Sequence, residues 1–356
     1  DYTDNAIKVN TIVALAFPVM TLIMSGTNVA IVWFGAKLIG AQSMQVGNLI
    51  AFMSYAMQIL MSFMMLSMVF VFIPRAQASA KRIQTVLALK STMKQPEHPV
   101  VLDPKATQHD LKFDHVEYRY RQAELPALSD IDFEAHSGQT VAIIGGTGSG
   151  KTTLVSLIPR FYDVDKGEIE LDGHNINDFS MKALRDQVSF VPQKATLFTG
   201  TIRDNMKYGN PDATDDQIWH ALEIARAKDF VEEDPAGLDL QVEQGGDNFS
   251  GGQKQRLAIA RSLVKQAAVY VFDDSFSALD FKTDADLRAA LRGDQHIQQS
   301  ITVIVAQRIA TVADADLILV LDNGKLVGKG THDELRANNK VYQEIIHSQL
   351  REEDDK

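Results

Sequence analysis

The chain has 356 residues, enough for two or three domains of ordinary size. Hydrophobic residues make up 45% of it and charged residues 23%, which excludes a disordered, collagen-like or coiled-coil protein. Because the chain has no cysteine, disulfides, thiolate metal sites and cysteine nucleophiles are excluded together. The net charge of −11 argues against nucleic acid as a partner, since a nucleic-acid-binding surface requires a basic face.

Charge is distributed unevenly along the chain. Residues 1–90 contain six basic and two acidic side chains, a sum of +4, so the rest must carry −15 to reach the total of −11. No charged side chain occurs in residues 9–36 or in residues 38–74. Both runs exceed the about 20 apolar residues that a helix needs to cross a bilayer, and soluble helices are rarely so long without charge. We therefore expect two membrane helices, at about 12–34 and 49–73.

A turn-like stretch at residues 35–42 joins these runs and predicts a helical hairpin. Lys8 and the three basic residues between 75 and 82 lie at the open ends, whereas the turn carries only Lys37. Since basic residues favour the cytoplasmic side, both open ends are expected to be cytoplasmic. Residues 1–90 thus form the predicted membrane segment with a helical cytoplasmic extension.

The rest of the chain has the pattern of an α/β domain. Residues 91–110 are predicted to be a linker, because Pro96, Pro99 and Pro104 prevent a helix. Residues 111–350 alternate helix-like stretches with continuous apolar runs, which are typical of buried parallel strands. These runs include residues 140–144, 268–272, 301–305 and 317–321. Residues 351–356 are predicted to be a charged tail.

A glycine-rich loop follows the first of these strands. Residues 145–152 read GGTGSGKT and fit G-x-x-x-x-G-K-[ST] between a strand and a helix, the context that this phosphate-binding motif requires. Backbone N–H groups of such a loop converge on phosphate oxygens, its lysine reaches the β and γ phosphates, and its final hydroxyl binds Mg²⁺. The predicted nucleotide-binding residues are Gly145, Thr147, Gly148, Ser149, Gly150, Lys151, Thr152 and Thr153.

An acidic pair ends the strand predicted near residues 268–272. A P-loop fold holds Mg²⁺ with a carboxylate at the end of an apolar strand, opposite the lysine loop. Alone, Asp273 and Asp274 would be read as an exposed strand end or a helix cap. Combined with the glycine-rich loop, they predict that Asp273 binds Mg²⁺ together with Thr152.

Residues 249–256, FSGGQKQR, resemble the LSGGQ signature of the ATP-binding-cassette (ABC) ATPases, with Phe249 in place of leucine. A serine and glycines that open a helix can form an anion site. In that family the site binds the γ-phosphate held by the other subunit, so that two ATP molecules lie between two cassettes. The resemblance implies that the partner's nucleotide contacts Ser250, Gly251, Gly252 and Gln253.

Further positions match the family in order. Tyr120 resembles the aromatic residue that stacks on adenine, and Gln193 resembles the glutamine that touches Mg²⁺ and senses the membrane domain. Asp280 lies in a segment that resembles the D-loop, which crosses the dimer interface. The whole chain resembles the last two helices and the nucleotide-binding domain of an ABC exporter half-transporter of the multidrug and lipid-export type. Because such half-transporters have six helices before the cassette, we expect the sequence to be the C-terminal part of one.

Two residues depart from the family pattern at the hydrolytic centre. Asp274 stands where the family has the catalytic glutamate, and Gln307 where it has the switch histidine. A side chain one methylene shorter retracts the carboxylate by about 1.5 Å, and misplacement of that order can cost about 10²-fold in rate. A glutamine amide can donate a hydrogen bond but cannot carry positive charge or relay a proton. The pair resembles the degenerate half of a heterodimeric exporter, with tight ATP–Mg²⁺ binding and slow hydrolysis.

The resemblance implies an α-helical transmembrane hairpin followed by an α/β P-loop NTPase domain of ABC type. It also implies ATP-driven export of a hydrophobic or amphipathic substrate, a drug or a lipid, across the cell membrane, with a second half-transporter as partner and a cytoplasmic cassette. Two alternatives stay open: a homodimeric exporter with slow hydrolysis, and a non-catalytic, nucleotide-binding regulatory subunit. The apolar hairpin and the acidic charge disfavour a soluble ABC-type ATPase of DNA repair or translation.

Overall fold

The computed structural model describes residues 2–89, 91, 93–101 and 107–354. The chain divides into two compact units, residues 1–92 and residues 93–356. The first unit contains α1 (Tyr2–Gly40) and α2 (Val46–Leu87). The strands of the second unit are β1 (Asp110–Tyr118), β2 (Leu128–His136), β3 (Thr140–Gly145), β4 (Lys166–Leu171), β5 (His174–Asn175), β6 (Val188–Val191), β7 (Gly200–Thr201), β8 (Gln241–Val242), β9 (Val269–Asp273), β10 (Ile301–Val305), β11 (Leu317–Asp322) and β12 (Lys325–Gly330).

The helices of the second unit alternate with these strands, as the sequence pattern predicts. They are α3 (Lys151–Leu157), α4 (Met181–Gln187), α5 (Ile202–Lys207), α6 (Asp215–Ile224), α7 (Lys228–Glu232), α8 (Gly251–Leu263), α9 (Phe281–Gly293), α10 (Ile309–Val312), α11 (His332–Asn338) and α12 (Lys340–Asp354). Helix α12 continues into the predicted tail as far as Asp354, and residues 355 and 356 lie outside the described residues.

The first unit is a helical hairpin. Phe17–Gly40 and Val46–Leu87 are long and apolar enough to cross a membrane. The predicted turn at residues 35–42 is placed too early, because α1 continues to Gly40 and the connection is residues 41–45. Gly35 is buried, and a Cβ at this position would collide with the side chain of Leu49. Gly35 thus lies at a close contact between the two helices, where small residues are common in membrane helices.

The second unit is built on a ten-stranded sheet in the order β5-β4-β1-β2-β12-β11-β3-β10-β9-β6. Strands β11, β3, β10, β9 and β6 are parallel, which confirms the predicted parallel strands, while β5, β4, β1 and β2 pair antiparallel. Strand β10 lies between β3 and β9, with Val305 paired to both Ile143 and Asp273. The carboxyl ends of parallel strands share one edge of a sheet, so the loop after β3 and the acidic pair after β9 meet there.

Both faces of the parallel strands are buried. Along β3, Val141 and Ile143 belong to one hydrophobic cluster, and Ala142 and Ile144 to the other, as the two-residue period of a strand requires. Because neither face meets water, the strand sequences read as uninterrupted apolar runs rather than alternating ones.

The described part of the predicted linker has neither helix nor strand around Pro96 and Pro99. Among the described residues, its contacts with the rest of the second unit include a hydrogen bond and a β-bridge. The buried side chain of Arg160 donates to the carbonyl of Lys94 at 3.0 Å, and Val100 bridges to Phe179. Pro104 lies outside the described residues.

Candidate nucleotide-binding site

The loop between β3 and α3 has a backbone that only glycine accommodates at several points. Gly148 and Gly150 have φ values of +80° and +101°, in the region that favours glycine. A Cβ at Gly145 would overlap the carbonyl oxygen of Leu321 and approach the hydroxyl of Ser149. The predicted glycine-rich loop therefore forms a compact cradle at the carboxyl edge of the sheet.

The polar side-chain groups of Lys151 and Ser149 lie within this loop. The ammonium of Lys151 donates to the carbonyl oxygens of Gly145 at 2.9 Å and Gly146 at 2.8 Å. Burial lowers the pKa of Lys151, against the raising influence of the nearby carboxylates of Asp274 and Asp273. The hydroxyl of Ser149 is buried, with the residue 4% exposed, and has no hydrogen-bond partner within the described part of the chain. A phosphate oxygen fits this arrangement, since it would accept from both a lysine and a hydroxyl.

Thr152 and Asp273 lie together opposite the lysine. The Thr152 hydroxyl donates to Oδ1 of Asp273 at 3.0 Å, although the two residues are 121 positions apart. Asp273 ends β9 and is 2% exposed, and burial raises the pKa of its carboxyl group. Hydroxyl and carboxylate oxygens are the hard ligands that Mg²⁺ prefers, so the donor set fits this ion. A bound cation would also favour the ionised form of the buried carboxylate.

Asp274 is the centre of a side-chain cluster. Its Oδ2 accepts from Nε2 of Gln193 at 2.9 Å and from Nε2 of Gln307 at 2.6 Å. Its own N–H donates to Val305 at 3.0 Å, and its φ is +49°, an uncommon value for a residue other than glycine. The residue is 6% exposed. Three residues that the sequence analysis named thus lie in contact, with the carboxylate of Asp274 between the amide donors of Gln193 and Gln307.

The tyrosine expected at the adenine site lies beside the loop helix. The Tyr120 hydroxyl is 2.9 Å from that of Thr153, and the residue is 41% exposed. Tyr118 and Tyr162 pack edge-on against it, with ring centroids 5.0 Å and 5.6 Å away. The sequence pattern did not identify Tyr162, since a tyrosine after a loop helix has no distinguishing signal.

The signature residues make local contacts. Ser250 caps α8: its hydroxyl accepts from the N–H of Gln253 at 3.3 Å, and Oε1 of Gln253 accepts from the N–H of Ser250 at 2.9 Å. Asp280 caps α9 through the N–H and hydroxyl of Thr283. A Cβ at Gly252 would lie 3.5 Å from the carbonyl oxygen of Ala278, so the signature segment adjoins the predicted D-loop.

A cavity of about 850 Å³ lies along this edge of the sheet. Gly145, Thr147 and Lys151 line it together with Asp274 and Gln307. Among the described residues, those lining it do not include the signature residues 250–253 or Asp280. They do include Phe281, Arg308, Ile345 and Gln349, none of which the sequence reasoning identified. Gln349 is polar in a stripe of apolar residues on α12, which is a signal that could have found it.

Fold and site together define an ATP-binding cassette joined to an apolar helical hairpin. The family model described as ABC transporter matches residues 128–277, and the model described as ABC transporter transmembrane region matches residues 1–63. The chain belongs to the ABC transporter family.

The most informative similarities are to longer proteins. An uncharacterized ABC transporter ATP-binding protein of Mycobacterium tuberculosis is 45% identical over 342 residues, which are 94% of this chain and 57% of that protein. A Staphylococcus aureus protein named as a multidrug export ATP-binding/permease protein is 42% identical over 235 residues, 66% of this chain and 40% of that protein. The solved structure of a bacterial Atm1-family ABC exporter with ATP bound matches with a TM-score of 0.83 and 31% identity, over 98% of this chain and 60% of that one. The chain thus spans less than two thirds of these relatives.

Proposed function

We propose that this chain binds ATP with Mg²⁺ and uses it to drive export of a hydrophobic or amphipathic substrate, a drug or a lipid. The observation that carries the proposal is the meeting of Lys151, Thr152, Asp273 and Asp274 at one edge of the sheet. The similarity to an exporter with ATP bound and to a protein named for multidrug export supports it.

In this proposal the chain's own residues divide the work of binding. The loop N–H groups, the Ser149 hydroxyl and Lys151 hold the phosphates, while Thr152, Asp273 and Gln193 hold the metal. Tyr120 stacks on the base. Mg²⁺, when bound, supplies positive charge that neutralises the phosphate oxygens. The other proposed loop contacts are Gly145, Thr147, Gly148, Gly150 and Thr153.

The hydrolytic site is proposed to be degenerate. Hydrolysis requires a base that reaches the proton of the attacking water, and Asp274 is shorter than the family's glutamate. Its Oδ2 accepts from the amides of Gln193 and Gln307, which orient the carboxylate but do not lengthen its reach. Since Gln307 donates to the carboxylate and cannot take up a proton, it offers no second base. The chain would therefore hold ATP while hydrolysing it slowly.

The signature segment is proposed to complete a competent site on a second half-transporter. The hydroxyl of Ser250 and the Gly251 N–H are exposed at the start of α8, a helix of 13 residues, so they can meet an anion on a partner. Gly252, Gln253 and Asp280 complete this surface in the proposal. Two alternatives share this arrangement of residues. In a homodimer with slow hydrolysis the partner would be a second copy of this chain, and in a regulatory subunit this site would not hydrolyse ATP.

The membrane part of the proposal rests on the hairpin. We propose that residues 1–90 lie in the cell membrane as part of a transmembrane domain, with residues 91–110 as linker and residues 111–350 as a cytoplasmic ATP-binding domain. The basic residues at the open ends of the hairpin support this orientation.

Two measurements test the proposal. Nucleotide binding is measured first, with labelled ATP and Mg²⁺ on the purified chain; wild type should retain it and Lys151→Ala should lose it. Single-site turnover is measured next, in the reconstituted transporter. Asp274→Glu combined with Gln307→His should raise turnover at this site by at least about tenfold. Unchanged turnover would remove the degenerate-site idea, and absent nucleotide binding in wild type would remove the whole proposal.

A further inference from the structure

The last helix, α12, packs on the ATP-binding domain by one face. Tyr342 is fully buried, and its hydroxyl is 2.8 Å from Nδ1 of His332. Ile345 and Ile346 pack against the hydrophobic core. Gln349 follows Tyr342 by seven residues and so lies on the same face. It is the point where this apolar stripe becomes polar.

The side chain of Gln349 holds the segment that carries Gln307. Its Nε2 donates to the carbonyl oxygen of Gln307 at 2.6 Å, and its Oε1 accepts from the N–H of Ile309 at 2.9 Å. Ile309 begins α10, and the residue before it, Arg308, makes no side-chain cap bond. Gln349 therefore satisfies one of the N–H groups that a helix start leaves without a partner.

The backbone before Gln307 is attached to the sheet by other bonds. The Ala306 N–H donates to Ile143 at 3.1 Å, and Val305 accepts from the N–H of Asp274 at 3.0 Å. Within the described residues, two hydrogen bonds join the backbone of residues 307–309 to a helix or strand other than α10. Both are made by the side chain of Gln349. The position of Gln307 thus depends on a residue of the last helix.

We propose that Gln349 is a positioning residue that keeps the Gln307 side chain on Asp274. The inference rests on the proposed ATPase function, since its consequence is the rate of hydrolysis. Glutamine is suited to this role because one amide offers a donor and an acceptor side by side. Glutamate offers acceptors only, and methionine has a similar length without a strong donor or acceptor.

The test compares Gln349→Met with Gln343→Met in the full chain, reconstituted in lipid. Gln343 lies on the same helix, and its amide donates to Arg336 and Ala337, away from Gln307. Gln349→Met should lower the single-turnover rate at saturating ATP roughly three- to tenfold, with nucleotide affinity nearly unchanged. Gln343→Met should leave the rate unchanged, and Gln349→Glu should fall between, because it retains the bond to Ile309.

A double-mutant cycle separates positioning from a general loss of stability. If Gln349 acts through Gln307, then Gln349→Met should have no further effect on the rate in a Gln307→Ala background. An equal loss of rate in that background, or equal losses in Gln349→Met and Gln343→Met, would overturn the inference.

Amide hydrogen exchange distinguishes this failure from failure of the proposed function. In Gln349→Met, but not in Gln343→Met, exchange should accelerate in residues 305–312. If the wild-type chain binds no ATP, the proposed function fails. The exchange measurement then tests by itself whether Gln349 positions the segment that carries Gln307. Equal exchange in both variants would then refute the positioning role.

Discussion

Gln307 and Asp274 share a hydrogen bond of 2.6 Å between Nε2 and Oδ2, across 33 residues of sequence. In this bond the amide of Gln307 only donates a hydrogen bond, whereas general acid–base hydrolysis needs groups that take up and release protons. In the proposed degenerate site, the aspartate carboxylate and the glutamine amide are therefore a contacting pair.

The cradle requires glycine at position 150 and tolerates a side chain at position 146. A Cβ at Gly150 would lie 2.9 Å from the Leu128 side chain, at a φ of +101°, whereas a Cβ at Gly146 has no atom within 4 Å. We expect Gly150→Ala to reduce the free energy of unfolding by about 1–3 kcal/mol and Gly146→Ala to leave it nearly unchanged. Thermal unfolding in detergent measures both, and equal shifts in Tm would contradict the described loop geometry.

Two substitutions of Tyr120 distinguish the contribution of ring stacking from that of the hydroxyl hydrogen bond. Tyr120→Ala removes the ring and should weaken ATP binding roughly tenfold, in keeping with about 1–3 kcal/mol for aromatic–base stacking. Tyr120→Phe loses only the bond to Thr153 and should bind within about threefold of wild type. Titration with a fluorescent ATP analogue compares the two variants. If Tyr120→Phe binds ATP as weakly as Tyr120→Ala, the hydroxyl rather than the ring is responsible for the contribution of Tyr120 to binding.

Ser250 is proposed to have two roles, capping α8 and contacting a partner's nucleotide. Thr214 caps α6 with the same reciprocal pair of bonds, which makes it a matched control. Ser250→Ala and Thr214→Ala should each cost about 1 kcal/mol of stability. Only Ser250→Ala should also lower ATP turnover of the assembled transporter. Equal turnover in the two variants would leave Ser250 with the capping role alone.

Asp284 is a buried charge inside α9. It is 2% exposed and accepts from Nε of Arg288 at 2.9 Å and from the Thr311 hydroxyl at 3.1 Å. Asp284→Ala should cost about 3 kcal/mol, because the partly buried Arg288 loses its closest partner. Asp286→Ala, at an exposed position of the same helix, should cost less than about 0.5 kcal/mol. Chemical denaturation measures this difference, and similar costs would show that the buried pair adds little stability.

Much of the fold could be predicted from local sequence. Three features can each be recognised from residues within a short segment. They are the glycine-rich loop between an apolar strand and a helix, the acidic pair after another strand, and the two long uncharged runs. Strand period, glycine conformation and helix length act over such distances, so the order of elements and the parallel sheet follow from them. The predicted turn was placed too early because Gly35 lies inside α1, at a contact with α2, and not in a turn.

The amino-acid sequence by itself determined the class of fold, the two apolar helices and the identity of the residues around the lysine loop. Only the tertiary structure decided that Gln193 and Gln307 donate to one oxygen of Asp274, and that Gln349 from the last helix holds Gln307. The physical reason is that a hydrogen bond between distant side chains needs a separation near 3 Å and a suitable angle. Packing of the sheet and helices sets both quantities, and no local pattern along the chain encodes them.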